Sequence, residues 1–249
     1  MVSMGVHTMM VSVALAARIT YLANAGVMVE GDGMQVLVDS LLRDSLDAYA
    51  THVPAVQEQL ETGRAPFDKV RLALATHYHL DHWDAGAITR FLKNHPAARF
   101  ISTPQGTGML PYGQRLQVMP IWPEAGKVEK VSSSAPAVVE ALPLRHGPTT
   151  QNLGYRILLG GVTVVHVGDT DATEENFRAL AAAGAADVAV VPFWWLTNSQ
   201  ATAFFRERWK PRNVVAMHVG GGDLKSVPAV RSAWPGVWVC VQPGESRVF

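Results

Sequence analysis

The sequence predicts a layered α/β fold, and three observations carry that expectation. Short apolar runs of strand length recur along the 249 residues and are punctuated by glycine. A few stretches with helical spacing fall between them, and that interspersion is the mark of layered α/β structure. Many of the strands are apolar on both parities, so each sheet needs cover on both faces, by a second sheet, by helices, or by one of each.

Taken in order, RITYL, GVMVE and MQVLVD between positions 18 and 39 read as three strands, and the Gly31-Asp32-Gly33 turn makes the second and third a hairpin. Residues 45–62 read as a helical insertion, with Pro54 at a helix start and Gly63 at its end. VRLALAT is the next strand, and a histidine-rich loop follows it. Asp84 then caps the helix AGAITRFLKN before RFIS returns to extended structure. Further strands are expected at GKVEKV, AVVEALPL, LGYRILL, GVTVVHVG, ADVAVV, NVVAMHV and VWVCV, with Gly160 and Gly161 in a second hairpin turn. Asp171 with Glu174 forms a capping-box pattern for TEENFRALAAA. Thr197 with Gln200 forms another for the segment through Lys210, which Pro211 stops.

No internal repeat or low-complexity linker divides the chain, so a single domain over residues 18–249 is expected behind a leader of residues 1–17. Within that leader, MMVSVALAA has the apolarity and small-residue end of a signal-peptide core. No lysine or arginine precedes it, and Arg18 comes only afterwards, which leaves localisation open.

Composition narrows the function classes. Lysine plus arginine equals aspartate plus glutamate at 21 each, without a dense run of one sign, which argues against a nucleic-acid footprint or a membrane-binding basic patch. No apolar run reaches the roughly 20 residues of a membrane span. One cysteine, Cys240, excludes an internal disulfide and a thiolate-rich cluster, so a metal here must be held by histidine and carboxylate.

The chemistry concentrates in THYHLDHWD, residues 76–84, where His77, His79, Asp81 and His82 fall within six positions. On a helix, residues i and i+2 point apart, whereas on an extended chain they share a face. His77 and His79 therefore converge only if the loop leaves its strand extended, and Asp81 and His82 need a turn to bring them round. Solvated loop histidines are the plain alternative. Three imidazoles and a carboxylate at this density point instead to a metal.

A second pattern supports the first. Asp39, His146, Asp169 and His218 each lie just past the last apolar position of a predicted strand. Taken singly, such residues are ordinarily caps or hydrogen-bonded surface groups. Gathered along one edge of the sheets they would meet the histidine loop, where sites in α/β structures tend to lie. His166 sits on the opposite parity from Asp169 and is expected to pack behind the site or in the core. His7, His52 and His95 read as structural or solvent-exposed.

With these residues in hand, the sequence resembles the metallo-β-lactamase superfamily, whose His-x-His-x-Asp-His signature stands unbroken at His77 to His82. The resemblance covers nearly the whole chain, because Asp39, His146, Asp169 in Val-Gly-Asp-Thr, and His218 follow in the family's order. It implies a four-layer αββα sandwich with a dinuclear metal site at the edge of the two sheets. One ion would take His77, His79 and His146, the other Asp81, His82 and His218, with Asp169 bridging and Asp39 orienting a ligand histidine from behind. Zinc, two per chain, is the implied metal, with Mn2+ or Fe2+ as alternatives. The opening ITYLANAGVMVEGDGMQVLVD is similar to the branch of metal-dependent hydrolases that includes sugar-phosphate lactonases, which often has a histidine where this chain has Asn24. A lactamase with a cysteine ligand fits less well, since Cys240 lies within a predicted strand near the terminus. Diiron oxygen reductases carry a glutamate at the second ligand position, where His79 points to hydrolysis. The family's transfer-RNA processing enzymes need a basic surface that a neutral chain lacks.

The chemistry of such a site follows from charge. Two dications bring four positive charges and two aspartates return two negative ones, so the remaining field favours hydroxide over water and lowers a water pKa to about 7. The expected function is hydrolysis of a small ester, lactone, amide or phosphoester, with Asp81 or Asp169 orienting the nucleophile. A metal-stabilised binding or sensing protein is the competing reading. Residues 40–64 are a candidate lid over the metals, Trp194 and Trp195 read as helix-to-sheet packing, and Asn152 and Tyr155 are candidates to touch substrate.

Overall fold

A computed structural model of the chain describes residues 16–46, 48–111, 113, 116–132 and 136–249. The leader expected over residues 1–17 lies outside the described residues except for Ala16 and Ala17, and His7 lies outside them as well.

Three antiparallel strands open the chain: β1 (Arg18–Ala23), β2 (Gly26–Gly31) and β3 (Met34–Val38). Parallel strands β4 (Val70–Leu74), β5 (Arg99–Ser102) and β6 (Val118–Pro120) extend the sheet from β3. The second half repeats the plan. Antiparallel β7 (Glu129–Ser132), β8 (Val138–Pro143), β9 (Leu153–Leu159) and β10 (Val162–His166) are followed by parallel β11 (Val188–Pro192), β12 (Asn213–Met217) and β13 (Trp238–Val239). The last strand, β14 (Ser246–Val248), crosses back to pair with β1, so the strand orders are β14-β1-β2-β3-β4-β5-β6 and β13-β12-β11-β10-β9-β8-β7.

The apolar parities explain the stacking. Val27, Val29, Val36, Val38 and Leu74 of the first sheet pack against Val139, Tyr155, Ile157, Val164 and Val190 of the second in one buried core. The opposite parity of the first sheet, Met28, Leu37, Ala73 and Phe100, is covered by α1 (Pro54–Thr62) and α2 (Ala85–Asn94) through Leu60, Ile88, Phe91 and Leu92. On the second sheet, Val165, Ala189, Val191 and Ala216 are covered by α4 (Glu174–Ala183), α5 (Ser199–Phe204) and α6 (Val227–Ala233). A short α3 (Pro104–Gly108) follows β5. The layers are therefore α, β, β, α, the four-layer αββα sandwich of the resemblance.

Several local expectations change. Asp84 does cap α2, its side chain accepting from the Ala87 N–H at 2.6 Å. The cap of α4, however, is Thr173 rather than Asp171, because Asp171 is occupied in accepting from the Gly147 N–H at 3.0 Å. Asn198 rather than Thr197 caps α5, accepting from Ala201 at 3.0 Å, in line with the stronger capping preference of asparagine. The helix expected through Lys210 ends as a π turn over Phe205–Trp209, and Lys210 takes a left-handed φ of 50° before Pro211. Among the described residues of the 45–62 segment, 54–62 are helical; Gly63 closes that helix with φ 69°. The VWVCV strand shrinks to Trp238–Val239.

Candidate metal centre

Five of the residues singled out for metal chemistry stand just beyond the carboxyl end of a strand, Asp39 after β3, His77 after β4, His146 after β8, Asp169 after β10 and His218 after β12, and His79, Asp81 and His82 follow His77 in its loop. Both sheets therefore offer their ends to one edge, and the loop from Thr76 to Asp84 folds over it. After β4 the chain bends at Thr76, turns through a hydrogen bond from the His82 N–H to the His79 carbonyl at 3.0 Å, and is anchored where the Asp84 N–H donates to the Leu41 carbonyl at 2.8 Å.

Backbone strain collects at the same edge. Asn24, Asp39 and His218 adopt φ values of 35°, 49° and 59°, a region L-residues seldom occupy. Gly168, with φ 61°, precedes Asp169. A Cβ there would meet Asn152 Oδ1 at 2.6 Å and Thr76 Cβ at 2.8 Å, so only glycine lets the β10 end pass this close to β4.

The side chains gather into two adjoining groups. His77, His79 and His146 form one, and Asp81, His82, Asp169 and His218 the other; within each, one nitrogen or oxygen per residue lies within 4.8 Å of all the rest. In the first, His77 Nε2 and His79 Nδ1 are 3.0 Å apart and the His146 ring packs edge-on to both. In the second, His218 Nε2 lies 3.1 Å from Asp81 Oδ2 and 3.0 Å from Asp169 Oδ2. The groups meet where the His77 and His82 rings stand 4.1 Å apart. All seven metal-competent residues of the sequence reading are thus brought to one place.

Asp39 stands behind them, fully buried. Its Oδ2 accepts from His82 Nδ1 at 2.9 Å, and its two oxygens take the Thr76 N–H and hydroxyl at 2.7 and 2.8 Å. Asn24 donates to Asp81 Oδ2 at 3.0 Å and to its carbonyl at 3.2 Å. Thr76 and Asn24 hold the charged groups in place, and as neutral residues they carried no charge pattern of their own. A similar clamp holds the His146 loop, where Asn176 accepts from the Arg145 N–H and donates to its carbonyl.

The donor set suits cations. His82 Nε2 and Asp169 Oδ1 are buried, 3.2 Å apart, and neither makes a hydrogen bond. Leaving such atoms bare costs free energy that a shared cation would recover. Burial pushes the His77 imidazole well below its ordinary pKa, and the neighbouring His82 adds to the drop, so His77 offers a lone pair. In the second group burial is overridden. The Asp169 and Asp39 carboxylates raise His82 well above the usual value, and His82 and His218 hold Asp169 well below the usual carboxylate range.

The remaining candidates separate. Asn152 and Tyr155 are fully buried and bonded within the fold, Asn152 to Leu144, Val167 and Thr170, and Tyr155 to the Ala75 and Ile101 carbonyls. Trp195 is core packing, fully buried, with its indole N–H on the Thr170 carbonyl at 2.8 Å. Trp194 is not: it is half-buried, and its ring stands edge-on to His218 at 5.0 Å. Tyr49 meets the other side of His218 at 4.2 Å. Of the candidate lid, then, the stretch around Tyr49 borders the donor cluster at His218 while α1 lies on the outer layer. His166 spans the core to the Ala25 carbonyl, and His52 and His95 are buried on the Ser40 and Leu60 carbonyls. A cavity of about 890 Å³ lies along α4, lined by Trp122, Arg145, Glu175, Arg178 and Ala182, and its lining includes none of the seven donors.

A family model described as a β-lactamase superfamily domain matches residues 18–218. No curated protein sequence matches the chain. Among solved structures, the chain is similar to Igni18, described as a novel metallo hydrolase from Ignicoccus hospitalis, at 23% identity over 94% of this chain and 98% of that one, with a TM-score of 0.66. A possible metal-dependent hydrolase from Veillonella parvula superposes with a TM-score of 0.69 at 16% identity, covering 92% and 98% of the two chains. An isothiocyanate hydrolase from Delia radicum gut bacteria gives 0.66 at 14% identity, covering 93% and 99%.

Proposed function

The chain belongs to the metallo-β-lactamase superfamily, and from that membership and the two donor groups we infer that it is a hydrolase working with two divalent ions, zinc first among them. His77, His79 and His146 would hold one ion and Asp81, His82 and His218 the other, with Asp169 serving both. The observation that carries this reading is the pair of bare, buried donors His82 Nε2 and Asp169 Oδ1 inside a seven-residue cluster.

Bound there, the ions would acidify water and polarise a scissile carbonyl or phosphoryl oxygen, which supplies a nucleophile at neutral pH without a dedicated base. The chain's own residues do the rest. Asp81 and Asp169 accept hydrogen bonds from the attacking water and fix its direction. Asn24 keeps Asp81 turned inward by donating to Oδ2. Asp39 keeps the His82 Nε2 lone pair facing the site by accepting at Nδ1. The substrate class is a small ester, lactone, amide or phosphoester.

The test is turnover of a panel of small esters, lactones and phosphodiesters by the zinc-loaded protein. Hydrolysis of at least one substrate, lost in Asp169→Ala, supports the reading. A metal-loaded protein inert across the panel would leave a binding or sensing role as the better account, and Asp169→Ala turning over at the wild-type rate would remove Asp169 from the hydrolytic site.

A further inference from the structure

The hydroxyl of Thr76 stands between the buried carboxylate and the first imidazole of the loop. Its Oγ1 lies 2.8 Å from Asp39 Oδ2 and 3.0 Å from His77 Nδ1. Asp39, Thr76, His77 and His82 are all fully buried, so each hydrogen bond must be satisfied within this group. A hydroxyl has one proton to give, and an ionised carboxylate can only accept. The Thr76 proton therefore goes to Asp39. What remains on Oγ1 is acceptor capacity, and the donor facing it is the His77 Nδ1–H. That leaves the His77 Nε2 lone pair directed at the site, 3.0 Å from His79 Nδ1. The same reasoning puts a proton on His82 Nδ1, bonded to the same Asp39 oxygen at 2.9 Å.

We propose that Thr76 is a positioning residue that relays the Asp39 carboxylate to His77, so that one carboxylate sets the tautomer of a ligand in each of the two metal groups. His82 is ordered directly and His77 through the hydroxyl. The proposal rests on the dinuclear reading above. Its consequence is selective: removing the hydroxyl loosens the His77, His79 and His146 group and leaves the other group's direct bond to Asp39 in place.

Zinc titration of the full chain by calorimetry tests this with Thr76→Val, which keeps the shape, and Thr76→Ser, which keeps the hydroxyl. Wild type is expected to show two binding events. Thr76→Val is expected to weaken one of them about 10–100-fold, the size of effect typical for partners behind metal ligands, and Thr76→Ser to restore it. Two unchanged events in Thr76→Val, or equal weakening in Thr76→Ser, would overturn the relay while leaving the metal reading intact. Absence of zinc binding by wild type would overturn the metal reading itself, and the relay with it. Should Thr76→Val not fold, long-range nitrogen-proton NMR of the zinc-loaded wild type decides: a proton on His77 Nδ1 is expected, and a proton on Nε2 refutes the relay.

Discussion

The Asn24 amide donates to Asp81 Oδ2 at 3.0 Å, and Asp81 Oδ2 in turn lies 3.1 Å from His218 Nε2. The Asn24 carbonyl accepts from the His218 N–H at 3.1 Å, so one residue braces both Asp81 and His218 of the four-residue donor group. The neutral Asn24 is thus a clamp on this group.

Asn24→Ala removes the side-chain half of that clamp. Metal affinity at the Asp81, His82 and His218 group should fall about 10–100-fold, read by competition with a zinc chelator, with the three-histidine group little changed. Equal loss at both groups would mean the residue supports the fold rather than Asp81.

The two adjacent tryptophans should separate cleanly. Trp195→Ala empties a fully buried position and leaves the Thr170 carbonyl without its indole donor, which should cost about 3–5 kcal/mol in urea unfolding. Trp194→Ala and Tyr49→Ala, half-buried and flanking His218, should cost much less stability and instead raise KM for whichever substrate is hydrolysed. Unchanged KM in both would remove these rings from the substrate site.

Gly168→Ala is expected to be among the most damaging single-methyl changes in the chain. The φ of 61° and the 2.6 and 2.8 Å approaches leave the methyl no place, so the β10 end and Asp169 must shift. Loss of about 1–3 kcal/mol of stability together with weakened metal binding is expected. A variant with wild-type melting temperature and metal content would show that the edge is looser than described.

Acid stability should depend on Glu61, buried between the two outer helices of the first sheet. Burial alone would raise its pKa, but bidentate bonds to Arg43 at 2.8 and 2.9 Å, with Gln57 and the charge of Arg90, bring it below the ordinary 4.5. A folded-state pKa below the unfolded one means stability that is present above about pH 4.5 and lost as pH falls through the depressed value. Glu61→Gln should flatten the acid limb of the melting-temperature curve. A limb of the same slope in the variant would assign the acid transition to other carboxylates.

Much of this was legible because strand periodicity and ligand spacing are local signals. The parity of VRLALAT, the i, i+2 spacing of His77 and His79 and the placement of Asp39, His146, Asp169 and His218 at apolar-run ends are set within a few residues, and the folded chain brings all seven metal-competent residues to one edge. What was hidden depends on distant partners. Asp171 reads as a helix cap until Gly147 is seen to occupy it. Asn152 lies between two presumed ligands in sequence yet is spent on the Leu144 and Val167 carbonyls. Trp194 and Trp195 are indistinguishable as a dipeptide, and only the tight turn over Phe193–Leu196 sends one ring to the core and the other to His218. Thr76 gave no signal, and Asn24 was marked only through the resemblance, since hydroxyl and amide side chains acquire their roles only from what faces them.

The central claim is that seven side chains from two sheets cage a pair of cations. Metal content of protein purified without chelator tests it most directly. The account predicts two divalent transition-metal ions per chain, falling in His79→Ala; fewer than one ion per chain in wild type, or full occupancy in His79→Ala, would contradict it.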